Sequence, residues 1–183
     1  MAEIKETSIP DVLEIIPRVF EDSRGYFYES FREEWFSSRG INLNWVQDNQ
    51  SSSVKGTIRG LHFQRAPYAQ DKLVRVISGR VLDVAVDLRK GSKTFGESVC
   101  VELSAEKKNQ LLVPAGFAHG FSVLEDATFV YKCSKLYHKE SEGGIIWNDS
   151  DLNIDWLVND PIVSEKDAIL PTLKEFIARE GGL

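Results

Sequence analysis

Residues Ile58 to Gln64 read IRGLHFQ. Apolar Ile58, Leu61 and Phe63 mark a strand, yet Arg59, His62 and Gln64 stand among them. Strands that enter a core rarely carry so much polar chemistry unless the groups are used or paired. An imidazole titrates near neutral pH, which suits it to moving protons. Arg59 and His62 have opposite parity, so a flat strand would send them to opposite faces. Gly60 lies between them, where a bulge would re-aim one of the two and let both reach one cavity.

The other candidates are scattered along the chain. Only three histidines occur, His62, His119 and His138. Small metal-binding β-barrels use a His-x-His pair on one strand, and this chain has none, so proton transfer is the better reading than metal ligation. A site of His62, His119 and a carboxylate is the one metal arrangement left open. His119 sits in PAGFAHGF, Pro114 to Phe121. Its glycine neighbours allow backbone or ligand to come close, but a turn entering a strand with a hydrogen-bonded histidine gives the same pattern. Lys72 opens KLVRVISG, and alternation groups it with Val74 and Val76 against Leu73, Arg75 and Ile77. It faces either a barrel mouth or the solvent at a strand end. Tyr131, in FVYKCS, shares a face with Phe129 and Cys133 and points inward. Most buried phenols are structural, and a phenol is also a competent general acid.

The elements that must position these groups are mostly strands. Val12 to Phe20 is extended with a bend or edge at Pro17, and Tyr26 to Phe31 alternates around Glu29. Arg32 to Arg39 reads as a short helix stopped by Gly40. Trp45 begins a polar, serine-rich stretch in a strand-like way. Strands are expected over Thr57 to Gln64, over Lys72 to Ser78 and Arg80 to Leu88 as a pair hinged at Gly79, then over Ser98 to Leu103 and Asn109 to Val113. Phe117 to Val123 and Thr128 to Ser134 follow, separated by a turn at Leu124 to Ala127. Many short strands at this spacing predict a sandwich or barrel. Only the end looks helical, with a start at Ser164 to Asp167 and apolar spacing over Leu170 to Glu180.

Composition narrows the function classes. The chain has 183 residues, enough for one domain with a sizeable core, taken here as residues 1–183. It is 42% hydrophobic and 27% charged, with a net charge of −6, so it is a poor candidate for nucleic acid or an anionic membrane. An anionic ligand must then be met by a local group of arginines and lysines. Cys100 and Cys133 both lie in apolar strand-like runs and read as two buried thiols rather than a disulfide. No leader pattern or membrane-length apolar run appears, so a reducing cytoplasm is the expectation.

Eight segments accumulate in order: Asp22-Ser23-Arg24-Gly25, RGLHFQ, Lys72-Leu73-Val74, PAGFAHGF, YKCSKLY, GGIIWND, DLNIDW and SEKD. Together they resemble the dTDP-4-dehydrorhamnose 3,5-epimerase family over nearly the whole chain. The resemblance implies a mainly β, cupin-like jelly-roll barrel, a homodimer, and no metal or other cofactor. It implies that His62 is the general base, paired with Asp167 of SEKD, and that Tyr131 is the proton donor on the opposite face of the sugar. Tyr137 matches a second tyrosine that stacks near the ligand. Arg59, Lys72 and His119 match groups around the sugar and diphosphate, with Lys72 the candidate for the oxyanion. Arg24, Glu29, Gln47, Asn49, Glu142 and Lys166 match further ligand positions, some reached from a partner subunit. The implied substrate is a dTDP-4-keto-6-deoxy sugar.

Lys135-Leu136, before Tyr137, departs from the acidic and aromatic pair common in the family. A relative inverting only C3 or only C5 of a related nucleotide sugar therefore stays open. So does a cupin that binds a sugar or nucleotide without catalysis, although pure binding has no need of an opposed acid and base.

Overall fold

The computed structural model describes residues 2–183. Its strands are β1 (Glu3–Glu6), β2 (Leu13–Ile16), β3 (Val19–Asp22), β4 (Gly25–Tyr28), β5 (Gln47–Ser53), β6 (Thr57–Gln64), β7 (Lys72–Asp87), β8 (Ser98–Ser104), β9 (Gln110–Val113), β10 (Phe117–Cys133), β11 (Glu142–Gly144) and β12 (Ile162–Val163). Three short helices trim them, α1 (Glu34–Ser37), α2 (Glu165–Ala168) and α3 (Leu173–Glu180).

The two long strands form the spine. β7 and β10 pair antiparallel along most of their length, from Phe117 opposite Asp87 to Cys133 opposite Lys72. Each changes partner midway. The first half of β7 pairs with β9 and the second half with β8. β10 pairs first with β6 and then with β5. Register shifts between Val123 and Phe129 mark the bend, and bulges of this kind turn one sheet into a closed, two-layered wrap. The result is a mainly β jelly-roll barrel of the cupin type.

These long strands correct the expected hinged pair and separated strands. Gly79 has φ +76° inside a continuous β7, and a Cβ there would lie 2.1 Å from the Asp126 carbonyl oxygen. Glycine marks a close crossing at the bend, not a turn between two strands. Pro17 acts the other way, dividing the expected Val12 to Phe20 run into β2 and β3.

Alternation sorts the side chains into layers. Val74, Val76, Val81, Phe121 and Phe129 fill the barrel interior. A side chain such as Phe129, 1% exposed, contributes about 1.5–3 kcal/mol by leaving water. Leu61, Phe63, Val84 and Val86 face outward under a cover that includes Trp156, Leu173 and Phe176. Leu13, Leu73 and Leu112 lie under Trp35 and Phe36. The α3 cover is fixed at its start by a capping box between Thr172 and Glu175 and by Asp149, which accepts from the Leu173 amide at 2.7 Å. Cys133 is buried, but Cys100 is exposed, which corrects the expectation of two buried thiols. Val99 and Leu103 point into the interior, so Cys100 takes the outer face of β8.

Candidate active site

The conflict of parity between Arg59 and His62 is resolved by a bulge. His62 faces His119 and Arg59 faces Phe121 in register. Two residues of β6, Gly60 and Leu61, thus stand opposite Gly120 alone. Gly60 has φ +120°, and a Cβ there would meet the Gly120 Cα at 2.6 Å. The extra residue swaps the faces: Ile58 joins Leu61 and Phe63 in the outer layer, while Arg59 and His62 both take the inner side.

His62 lines a cavity of about 310 Å³ with Lys72, Tyr131, Tyr137, Glu142, Gln47 and Asn49. Its Nε2 lies 2.8 Å from Asp167 Oδ1. The other carboxylate oxygen accepts from the Gly60 amide at 3.1 Å. Ser164 caps α2 by accepting from the Asp167 amide, which fixes the carboxylate's approach. Burial alone would raise the Asp167 carboxyl; the His62 and Gly60 interactions outweigh it and hold the group below its ordinary value. An ionised Asp167 accepts the Nε2 proton and so selects the tautomer with a free lone pair on Nδ1. Nδ1 has no protein partner among the described residues. That is the arrangement of a base.

Lys72 and Tyr131 supply complementary chemistry. Lys72 has no ion-pair or hydrogen-bond partner among the described residues. Burial pushes its ammonium below the usual lysine value, against the pull of Cys133, Asp83 and Glu142. Burial raises the Tyr131 phenol, and the nearby Arg59 charge opposes this only in part. Tyr131 therefore holds its proton at neutral pH and can donate it.

The rim is tied together by Glu142. It accepts from the Tyr137 hydroxyl at 2.9 Å and pairs with Lys166 at 2.7 Å. Gln47 accepts from the Tyr137 amide and donates to Asn49 Oδ1. Arg59, exposed and not among the residues lining this cavity, donates from Nε to Ser53 Oγ at 2.9 Å. His119 is buried, with Nε2 between the two oxygens of Asp83 at 2.9 and 3.0 Å. Arg24 and Glu29 are not brought to this cavity; Arg24 pairs with Asp22 and Glu29 with Arg32 on the surface.

Asp83 was not among the expected residues. Its signal is a lone aspartate in the apolar run VLDVAV, where a buried carboxylate demands a partner. Gln64, which accepts from the His138 amide and lines the cavity, was also missed. Among the described residues no group of three or more His, Cys, Asp or Glu could hold a metal ion.

A cupin-like barrel whose cavity gathers a histidine–carboxylate pair, an unpaired lysine and a buried phenol belongs to the class of acid–base isomerase scaffolds. Comparison with known proteins sharpens the class. The family model described as dTDP-4-dehydrorhamnose 3,5-epimerase matches residues 6–175, and the chain belongs to that family. A protein of that name from Shigella flexneri is 56% identical over 164 residues, 88% of this chain and 91% of the relative. The crystal structure of the Elizabethkingia anophelis epimerase superposes with a TM-score of 0.91 at 52% identity, covering 95% of this chain and 97% of that one. The Legionella pneumophila enzyme in complex with dTDP-4-keto-L-rhamnose gives a TM-score of 0.93 at 46% identity, covering 98% and 96%.

Proposed function

We infer that this chain catalyses epimerisation at C3 and C5 of dTDP-4-dehydro-6-deoxyglucose, giving dTDP-4-dehydro-L-rhamnose. The observation that carries this reading is that His62, paired with Asp167, lines the same cavity as Lys72 and Tyr131.

The chemistry follows from the ketone at C4, which acidifies the hydrogens on C3 and C5. His62 Nδ1 removes one of them, and the electron pair moves onto the ketone oxygen as an enolate. The Lys72 ammonium stabilises that oxyanion. Tyr131 then delivers its proton to carbon from the opposite face, which inverts the centre; the imidazolium returns its proton to solvent and the phenolate takes one up, and the same steps then invert the second carbon. Asp167 holds the imidazole in its tautomer and stabilises the imidazolium that forms. Proton return from His62 itself would restore the original configuration. Arg59, His119, Gln47, Asn49, Tyr137, Glu142 and Lys166 bind or frame the substrate, with Arg59 and Lys166 offsetting diphosphate charge in an acidic protein.

We further propose that residues 1–183 act as one domain in a cytoplasmic homodimer. The β3–β4 hairpin supports the dimer. It forms a separate two-stranded sheet, and its Phe20, Tyr26 and Phe27 are exposed. Arg24 and Glu29 on this arm would complete the partner's site. Sedimentation velocity should give twice the 20.7 kDa of one chain; a monomer mass would contradict the dimer.

The activity is tested by incubating the protein with dTDP-4-keto-6-deoxyglucose and determining the product configuration by NMR. Inversion at both carbons supports this reading, inversion at one indicates a mono-epimerase, and unchanged sugar overturns it.

A further inference from the structure

Glu142 carries much of the rim, yet β11, which bears it, is only three residues long. So short a strand holds its place weakly through its own ladder. Its side of the structure is closed by Arg65, the residue after β6. The Arg65 amide donates to the Ser141 carbonyl at 2.8 Å. Nη1 donates to the Glu142 carbonyl at 2.8 Å and more weakly to that of Ser141 at 3.5 Å. Nε and Nη2 form a forked pair with Glu180 at 2.8 and 2.5 Å. The guanidinium also lies over the Phe63 ring, 5.1 Å from its centre.

Packing leaves no slack on this side. A Cβ at Gly143 would lie 2.4 Å from the Phe63 ring and 2.8 Å from Arg65 Nη2. β11 is therefore seated directly on Arg65 and Phe63. Glu142 and Gly144 face Gln64 and His62 across the ladder, so a shift of β11 moves the rim relative to the base. The planar fork of arginine suits this task, since it satisfies a carboxylate and a backbone carbonyl together.

We propose that Arg65, held by Glu180 at the end of α3, is a positioning residue for the substrate rim. By gripping the Glu142 carbonyl it fixes the Glu142 carboxylate, and through that carboxylate Tyr137 and Lys166. The proposal rests on the reading of this cavity as the epimerase site.

Steady-state kinetics on the full chain test it, with thermal denaturation run alongside. Wild-type turnover of dTDP-4-keto-6-deoxyglucose is measured first; its absence overturns the functional reading and this proposal with it. Given turnover, Arg65→Met should raise KM about tenfold with kcat changed by less than about threefold. Arg65→Lys, which keeps the charge without the fork, should fall between. In a Glu142→Gln background the same Arg65→Met change should alter KM by less than about twofold, because the route runs through Glu142. An unchanged KM in folded Arg65→Met overturns the proposal. So does an undiminished tenfold effect in the Glu142→Gln background, which would make Arg65 only a staple for α3. Should Arg65→Met fail to fold, Glu180→Gln is read by the same two criteria.

Discussion

Asp167 reaches His62 from 105 residues further along the chain and touches it at 2.8 Å, Oδ1 to Nε2. Its second oxygen accepts from the Gly60 amide, at the bulge that turns His62 inward. One carboxylate thus fixes both the backbone that aims the imidazole and the tautomer that frees its other nitrogen. The sheet and the small α2 helix have to meet for this pair to form.

Asp167→Asn should leave the fold in place and lower kcat by roughly 10⁴-fold, the scale seen when a catalytic histidine loses its orienting carboxylate. The amide can donate to Nε2, which would move the imidazole proton to Nδ1 and abolish the base. A variant retaining more than a tenth of wild-type kcat would remove Asp167 from the mechanism.

Tyr131→Phe separates exchange from inversion. His62 can still wash a proton in and out on its own face, so isotope exchange with solvent should outlast epimerisation. The ratio of the two rates, followed by NMR in deuterated buffer, should rise at least about tenfold, within the usual range for losing a general acid. Equal loss of both would count against Tyr131 as the opposite-face donor.

Lys72 should set an alkaline limit. Burial lowers its ammonium below the ordinary lysine value, so the proton it needs is lost at lower pH than for an exposed lysine. Activity should decline on the alkaline side as that proton leaves. Lys72→Met should cost about 100- to 1000-fold in kcat at neutral pH. Lys72→Arg should keep more activity and move the alkaline decline upward. An identical alkaline limb in the arginine variant would assign it to another group.

Asp87, outside the cavity lining, should govern acid stability. It is fully buried and accepts from Arg89 at 2.7 and 2.9 Å, and from Ser92 and Thr94 at 2.6 and 2.7 Å. Burial pushes its carboxyl up, and these bonds outweigh that and hold it well below the carboxylate range. A folded-state value below the unfolded one means the stabilisation is complete above about pH 4 and fades as pH falls toward the folded value. Asp87→Ala should cost near or below the lower end of about 3–5 kcal/mol, since Arg89 is 30% exposed and keeps Asp11. Urea unfolding at neutral pH and near pH 3 checks this; the gap between variant and wild type should narrow at the lower pH, and a constant gap would exclude Asp87 as the titrating group.

Much of this was legible in the residues themselves. Strict alternation grouped Lys72 with Val74 and put Tyr131 with Phe129 on the interior face, but left Lys72 open between a barrel mouth and solvent; Gly60 marked the bulge that resolves Arg59 against His62. Strand length was not legible, because a glycine inside a bend and a glycine ending a strand look alike at Gly79. Cys100 was misplaced because an apolar run at an edge strand has an outer face that nothing covers. The partnership of Asp167 with His62 came from family resemblance alone, since no local pattern joins residues so far apart. Asp83 left a local signal, an acid in an apolar strand, but its partner His119 lies on the neighbouring strand of the barrel.

Turnover in D2O bears most directly on the central claim that His62 moves the protons at both carbons. Wild-type protein should convert dTDP-4-keto-6-deoxyglucose to product carrying deuterium at C3 and at C5, and His62→Ala, folded as wild type, should incorporate label at neither. Label at one carbon alone, or exchange continuing at the wild-type rate in His62→Ala, would contradict it.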